Sequence, residues 1–114
     1  MIEAVDHALL PAFFRKCGGL LAPHGAMLIQ AITMADQRYE DYRKSVDFIR
    51  RYIFPGGNLP SAAVMTDCAV RETGLRLLGL EDIGLHYATT LAHWRRNFLR
   101  QLDAVREMGY PEAF

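Results

Sequence analysis

The order of elements legible in the sequence predicts an α/β fold in which helices flank a parallel sheet. Three observations carry this. Ala26-Met27-Leu28-Ile29-Gln30-Ala31-Ile32-Thr33 is an almost continuous apolar run bounded by turn signals, the pattern of a strand buried on both faces. Leu75 to Ile83 reads as a second strand, interrupted at Gly79. Helical segments precede and follow each run, giving the order helix, strand, helix, loop, helix, strand, helix. Two strands are too few for a sheet to stand alone. The pattern is therefore that of the back half of a doubly wound domain, one partial domain over residues 1–114 whose first strands are missing.

Met1 to Asp6 carries no clean start signal. From His7, the residues Leu10, Phe13, Phe14, Cys17, Leu20 and Leu21 recur at steps of three and four, one face of an amphipathic helix. Pro11 fits only in its first turn, and Gly18-Gly19 weaken its end. Gln30 is the one long polar residue in the first apolar run, expected to make a structural hydrogen bond to a neighbouring loop. Asp36 is placed to cap a helix running to about Arg51, with Tyr39, Tyr42, Val46, Ile49 and Ile53 as its apolar stripe. The opposite face mixes Arg38, Glu40, Asp41, Arg43, Lys44, Asp47, Arg50 and Arg51. It reads as a solvated face. The alternative is that its basic members lean on an anionic surface such as lipid headgroups.

Tyr52 to Ser61 is a stop, a turn and a start. Pro55 cannot extend the preceding helix, Gly56-Gly57 free the backbone, and Ser61 is the N-cap of the next helix. Its aromatic and apolar content predicts a folded loop of the kind that lines a pocket. The helix from Ala62 to about Thr73 is expected to end at Gly74 as a C′ residue. The last helix, about Tyr87 to Glu107, puts Leu91, Trp94, Phe98, Leu102 and Val105 on one face, and Gly109-Tyr110-Pro111 ends it.

Composition excludes more than it assigns. Net charge is zero with pI near 6.9, so no basic excess argues for nucleic acid. Cys17 and Cys68 lack a CxxC spacing and read as two buried thiols. No apolar run approaches the roughly 20 residues that cross a bilayer, so membrane contact is expected to be peripheral. There is no glycine-rich phosphate loop, HExxH or GxSxG, and the four histidines have no metal-site spacing. Residue chemistry alone leaves function open.

A succession of landmarks narrows it. Met1-Ile2-Glu3-Ala4-Val5 comes first, then Leu28-Ile29-Gln30-Ala31-Ile32-Thr33, then Arg38-Tyr39 with Ser45-Val46-Asp47-Phe48-Ile49. Tyr52-Ile53-Phe54-Pro55-Gly56-Gly57 with Leu59-Pro60-Ser61 is next, and then Glu81-Asp82-Ile83-Gly84 and Tyr87-Ala88-Thr89-Thr90-Leu91 with Trp94. In order and spacing these resemble the cyclopropane-fatty-acyl-phospholipid synthases, including the mycolic acid cyclopropane synthases, over nearly the whole chain. The Ile-Phe-Pro-Gly-Gly-x-Leu-Pro-Ser segment is the most specific of them.

The resemblance implies a Rossmann-like class I S-adenosylmethionine-dependent methyltransferase sheet, with Ala26–Thr33 as the fifth strand and Leu75–Ile83 as the sixth. The strands carrying the cofactor loop would precede Met1 and the final strand would follow Phe114, so no cofactor-binding residue is assigned in this chain, and no metal. It further implies that a cis double bond of a phospholipid acyl chain attacks the sulfonium methyl, and that a base, associated in the family with bicarbonate, removes a proton as the ring closes. Carried over by position, Glu3 matches the glutamate of that base site, Ile32 its backbone donor and Tyr87 its tyrosine. Gln30 stands where the family has a histidine, and an amide cannot titrate. Tyr52, Phe54, Gly56, Gly57 and Trp94 are implied as the substrate-side walls and lid. The implied setting is cytoplasmic, peripheral to the inner membrane face, with a homodimer or pairing with a missing N-terminal half. The alternatives are a related methyltransferase on another substrate and a non-catalytic lipid-binding remnant.

Overall fold

The computed structural model describes residues 1–113. It contains five α-helices: α1 Leu10–Leu20, α2 Tyr39–Lys44, α3 Ala62–Glu72, α4 Gly84–Arg100 and α5 Leu102–Glu107. Short 3₁₀ turns cover Ile2–Ala4, His7–Leu9 and Asp36–Arg38, and a single π turn covers Ile49–Ile53. The chain divides into two compact units, Met1–Leu78 and Gly79–Phe114.

The first unit is built on α1 against α3. Phe14 and Leu10 from α1 and Ile2 from the first turn are buried, with Val64, Met65, Cys68 and Ala69 of α3 packed on them. Gly18 does not simply weaken the end of α1, as its composition suggested. A Cβ there would lie 2.7 Å from Thr73 Cγ2, so the glycine permits the close approach of α1 to the end of α3. Arg15 Nε reaches Glu72 Oε2 at 3.1 Å beside that contact. The pair is exposed, so its contribution to stability is small.

Neither predicted strand is part of a sheet. Among the described residues the only ladder contact is an isolated parallel bridge, Met34 with Ser61, where the Met34 N–H donates to Pro60 C=O at 3.0 Å. A strand is stable only when neighbouring backbone meets its N–H and C=O groups, and no neighbouring strand is present among the described residues. The segment 26–33 nevertheless keeps a strand's alternation. Met27, Ile29 and Ala31 pack on the core cluster, while Leu28 is 91% exposed and Gln30 and Ile32 are exposed with it. One face is partly buried, not two. In the second run Leu77, Leu78 and Leu80 are all exposed.

The predicted helix from Asp36 to Arg51 is broken at Ser45–Asp47. The Ser45 N–H and Oγ both donate to Tyr42 C=O, at 3.1 and 3.0 Å, and Arg50 Nη1 donates to the same carbonyl at 3.1 Å. The end of α2 is thus capped from downstream, and the Asp47 carboxylate takes the Arg50 N–H at 2.8 Å to start the next turn. Asp36 caps a different helix from the one expected. Its Oδ1 accepts the Ala63 N–H at 2.9 Å, at the start of α3, where Ser61 Oγ also accepts the Val64 N–H at 3.3 Å. Ser61 is the N-cap the sequence predicts. Gly74 follows α3, but the helix is ended by an extended Thr73 (φ −145°) rather than by a left-handed glycine.

In the second unit the predicted single helix is α4 and α5, separated at Gln101. Gly109, with φ 88°, closes α5 as expected. The stripe of Leu91, Trp94 and Phe98 is exposed, and neither helix holds a buried residue. Among the described residues no helix is long and apolar enough to cross a membrane.

Candidate functional site

The loop between the π turn and α3 begins with a tight reversal. The Gly57 N–H donates to Phe54 C=O at 2.9 Å, with Pro55 and Gly56 (φ 80°) between them. Proline second and a left-handed glycine third are the requirements of a type II turn. The reversal sends the next residue inward: Asn58 is only 3% exposed. Its N–H donates to Glu3 C=O at 2.7 Å and its Nδ2 donates to Val5 C=O at 3.3 Å. The Leu59 N–H donates to the Tyr42 hydroxyl at 3.2 Å.

Two buried tyrosines on α2 thus face the loop. The Tyr39 hydroxyl lies 2.6 Å from His7 Nδ1 and also meets the Asn58 side chain. Burial pushes the Tyr39 phenol above its ordinary range, so it stays a neutral hydroxyl.

Glu3 is brought to Ile32. Its Oε1 accepts the Ile32 N–H at 3.0 Å, and its Oε2 accepts from the Met1 amino group at 2.7 Å. Burial alone would raise the Glu3 pKa. The hydrogen bonds from the Met1 ammonium and the Ile32 N–H, with the ammonium's charge, outweigh it and hold the carboxyl below its usual value. The result is an ionised acceptor fixed beside the exposed edge of the 26–33 segment.

Gln30 stands exposed, and among the described residues no hydrogen bond to a neighbouring loop is seen for it. Tyr52 near the end of the π turn and Phe54 after it are 62% and 67% exposed, with Phe48 tilted 5.1 Å from Tyr52 and the Arg51 guanidinium 5.4 Å over the same ring. Gly56 and Gly57 form the type II turn itself. Tyr87 and Trp94 belong to the second unit, where they meet edge-on at 6.2 Å.

Sequence reasoning missed Asn58, His7 and the inward role of Tyr39. The available signal was Asn58 itself, a lone amide between Gly57 and Leu59 in an otherwise apolar loop.

The groups implied by the resemblance fit this chain incompletely. The Ile32 N–H is already paired with Glu3, and Glu3 has its second oxygen on an ammonium group. The Ile32 N–H is thereby paired, while the Glu3 carboxylate keeps further lone pairs and can accept but not donate. For S-adenosylmethionine, the described residues form no glycine-rich turn from strand to helix. Among them no three His, Cys, Asp or Glu side chains converge as a metal site. Cys17 and Cys68 are free and half-buried, and burial raises the Cys68 thiol pKa.

The sequence comparisons agree with one another. The family described as mycolic acid cyclopropane synthetase matches residues 1–114. A tuberculostearic acid methyltransferase of Mycobacterium tuberculosis is 40% identical over the whole chain, which covers 27% of that protein. A probable fatty acid methyltransferase of Pseudomonas putida is 38% identical over 90% of the chain and 26% of its own length. Sphingolipid C9-methyltransferase 1 of Gibberella zeae is 32% identical over 93% of the chain and 21% of its own length. The chain thus spans about a quarter of these relatives. No solved structure matches. By its full-length match, this chain belongs to the mycolic acid cyclopropane synthetase family.

Proposed function

We propose that this chain is the substrate side of an S-adenosylmethionine-dependent lipid methyltransferase, acting on a cis double bond of an acyl chain. The observation that carries the reading is the family match over residues 1–114, joined by relatives named for fatty acid and sphingolipid methylation. The helix-rich chain, with a strand-like segment partly buried on one face only, is what part of a Rossmann-like α/β methyltransferase domain would present.

S-adenosylmethionine supplies an electrophilic methyl group when bound. The chain's own contributions come from its site. Methyl transfer to a double bond leaves positive charge on the acyl chain, and a proton must then depart. Glu3, ionised and fixed on the Ile32 amide, is the acceptor-side group nearest to that task. Exposed Tyr52 and Phe54 supply apolar, electron-rich surface that suits an alkyl chain and a passing cation. Gly56 and Gly57 shape the turn that presents them. Tyr87 and Trp94 supply a hydroxyl and a second aromatic pair. Gln30, at the position of the family histidine, can donate a hydrogen bond and cannot relay a proton. The working setting would be a phospholipid surface on its cytoplasmic side, reached peripherally.

Two products are compatible with this chemistry. The family description supports ring closure, while the relatives' names support methyl addition without a ring. Expression of the whole reading frame that carries this chain, in a host making monounsaturated lipids with labelled methionine, separates them. Labelled acyl chains with upfield cyclopropyl protons establish ring closure, and labelled methyl branches establish the second product. Unlabelled lipids from soluble, folded protein would sink the reading.

A further inference from the structure

Asn58 holds one short segment at two points. Its N–H donates to Glu3 C=O at 2.7 Å and its Nδ2 to Val5 C=O at 3.3 Å. The third alternate residue, His7, is met by Tyr39, whose hydroxyl also meets the Asn58 side chain. Residues 3, 5 and 7 are thus held by the backbone N–H of Asn58, its side-chain amide and the Tyr39 phenol, from two residues that are both almost wholly buried. The segment held in this way is the one that carries the Glu3 carboxylate to the Ile32 N–H, 3.0 Å away.

From this arrangement we infer that Asn58 is a positioning residue, setting where the Glu3 carboxylate stands against the Ile32 amide. As a role in turnover, this rests on the lipid methyl transfer proposed above. The physical reason is the stiffness of the joint. Loss of the amide leaves the partly buried Val5 carbonyl without its donor, and such a group draws the backbone toward other partners or water. A displacement of about 1 Å at a reacting group can cost on the order of a hundredfold in rate. The backbone bond from Asn58 to Glu3 survives most substitutions, so the side chain can be removed without cutting both ties.

Two measurements decide it. The first needs no activity. In the full chain with Met1 acetylated, so that the ammonium charge is gone, carboxyl-carbon NMR follows the titration of Glu3. Asn58→Ala should move its midpoint upward as the Ile32 bond loosens. Tyr39→Phe, which keeps the Asn58 amide, should move it less in the same direction and serves if Asn58→Ala does not fold. A Glu3 midpoint unmoved in the folded variants would overturn the inference. The second uses the active enzyme. Asn58→Ala should lower kcat on the order of tenfold with KM for lipid unchanged, and the loss should vanish in a Glu3→Gln background. An equal loss in both backgrounds would show that Asn58 acts only on the fold and would overturn the positioning role. Absence of methyl transfer by the wild type sinks the proposed function instead, and the titration still judges Asn58.

Discussion

The two units of this chain are held together by different kinds of contact. In Met1–Leu78 the hydrogen bonds join residues far apart in sequence: Glu3 with Ile32, His7 with Tyr39, Val5 with Asn58, Asp36 with Ala63, Arg15 with Glu72. A small core of Ile2, Leu10 and Phe14 lies beneath them. In Gly79–Phe114 the hydrogen bonds described are helical or close to it, as in Thr90 with His86, Arg106 with Asp103 and Arg106 with Glu112. Its aromatic stripe is exposed. The lesson concerns what an amphipathic pattern establishes. A helix gains most of its stability in a protein from burying its apolar face. The same periodicity yields a core in α1 and a bare stripe in α4.

The sharpest way to break the contrast is to empty the core of the first unit. Phe14→Ala should cost about 3–5 kcal/mol, read as loss of hydrogen-exchange protection across α1 and α3 while α4 exchanges as before. Protection that survived in α1 and α3 would mean that the long-range hydrogen bonds, not the core, hold that unit. A smaller effect is expected from the cap where loop and helix meet. Ser61→Ala should destabilise by about 1 kcal/mol in denaturant titrations, because Val64 loses its acceptor and Asp36 a partner.

Acid should weaken the first unit at a defined place. The Glu3 pKa is lowered in the folded chain, so its contribution is full above the unfolded-state value and is lost as pH falls through the folded one. The stability gap between wild type and Glu3→Gln should therefore close on acidification. A gap that stayed constant would mean that the Ile32 bond does not depend on charge. The smallest effect belongs to the second unit. Trp94→Phe should change stability by less than about 0.5 kcal/mol, and the fluorescence of Trp94, the one tryptophan and 58% exposed, should be readily quenched by acrylamide. A shielded Trp94 with a costly substitution would erase the contrast between the units.

The helices were largely legible in the sequence, because three- and four-residue spacing, Pro11 in a first turn and Ser61 as a cap are local signals. The break at Ser45 was not, since it depends on the Arg50 side chain folding back onto carbonyls of α2. The two predicted strands are not confirmed, for a related reason. Apolar runs state what prefers to be buried, whereas a strand exists only with a neighbour. Of the candidate site, the bond from the Ile32 N–H to the Glu3 carboxylate joins positions far apart in the chain, and no local spacing announces it. Asn58 stood out only as a lone amide in an apolar loop, and nothing local told whether it faces water or the interior.

By itself, the sequence determined the family, the helical stretches, the proline–glycine turn and the residues worth testing. All of these are written in order and local spacing. The tertiary structure alone decided which apolar faces are covered, that Asp36 caps α3, and that residues 3, 5 and 7 are fastened by Asn58 and Tyr39. Those outcomes turn on burial and on donors finding acceptors across tens of residues. No neighbouring letter in the chain encodes that.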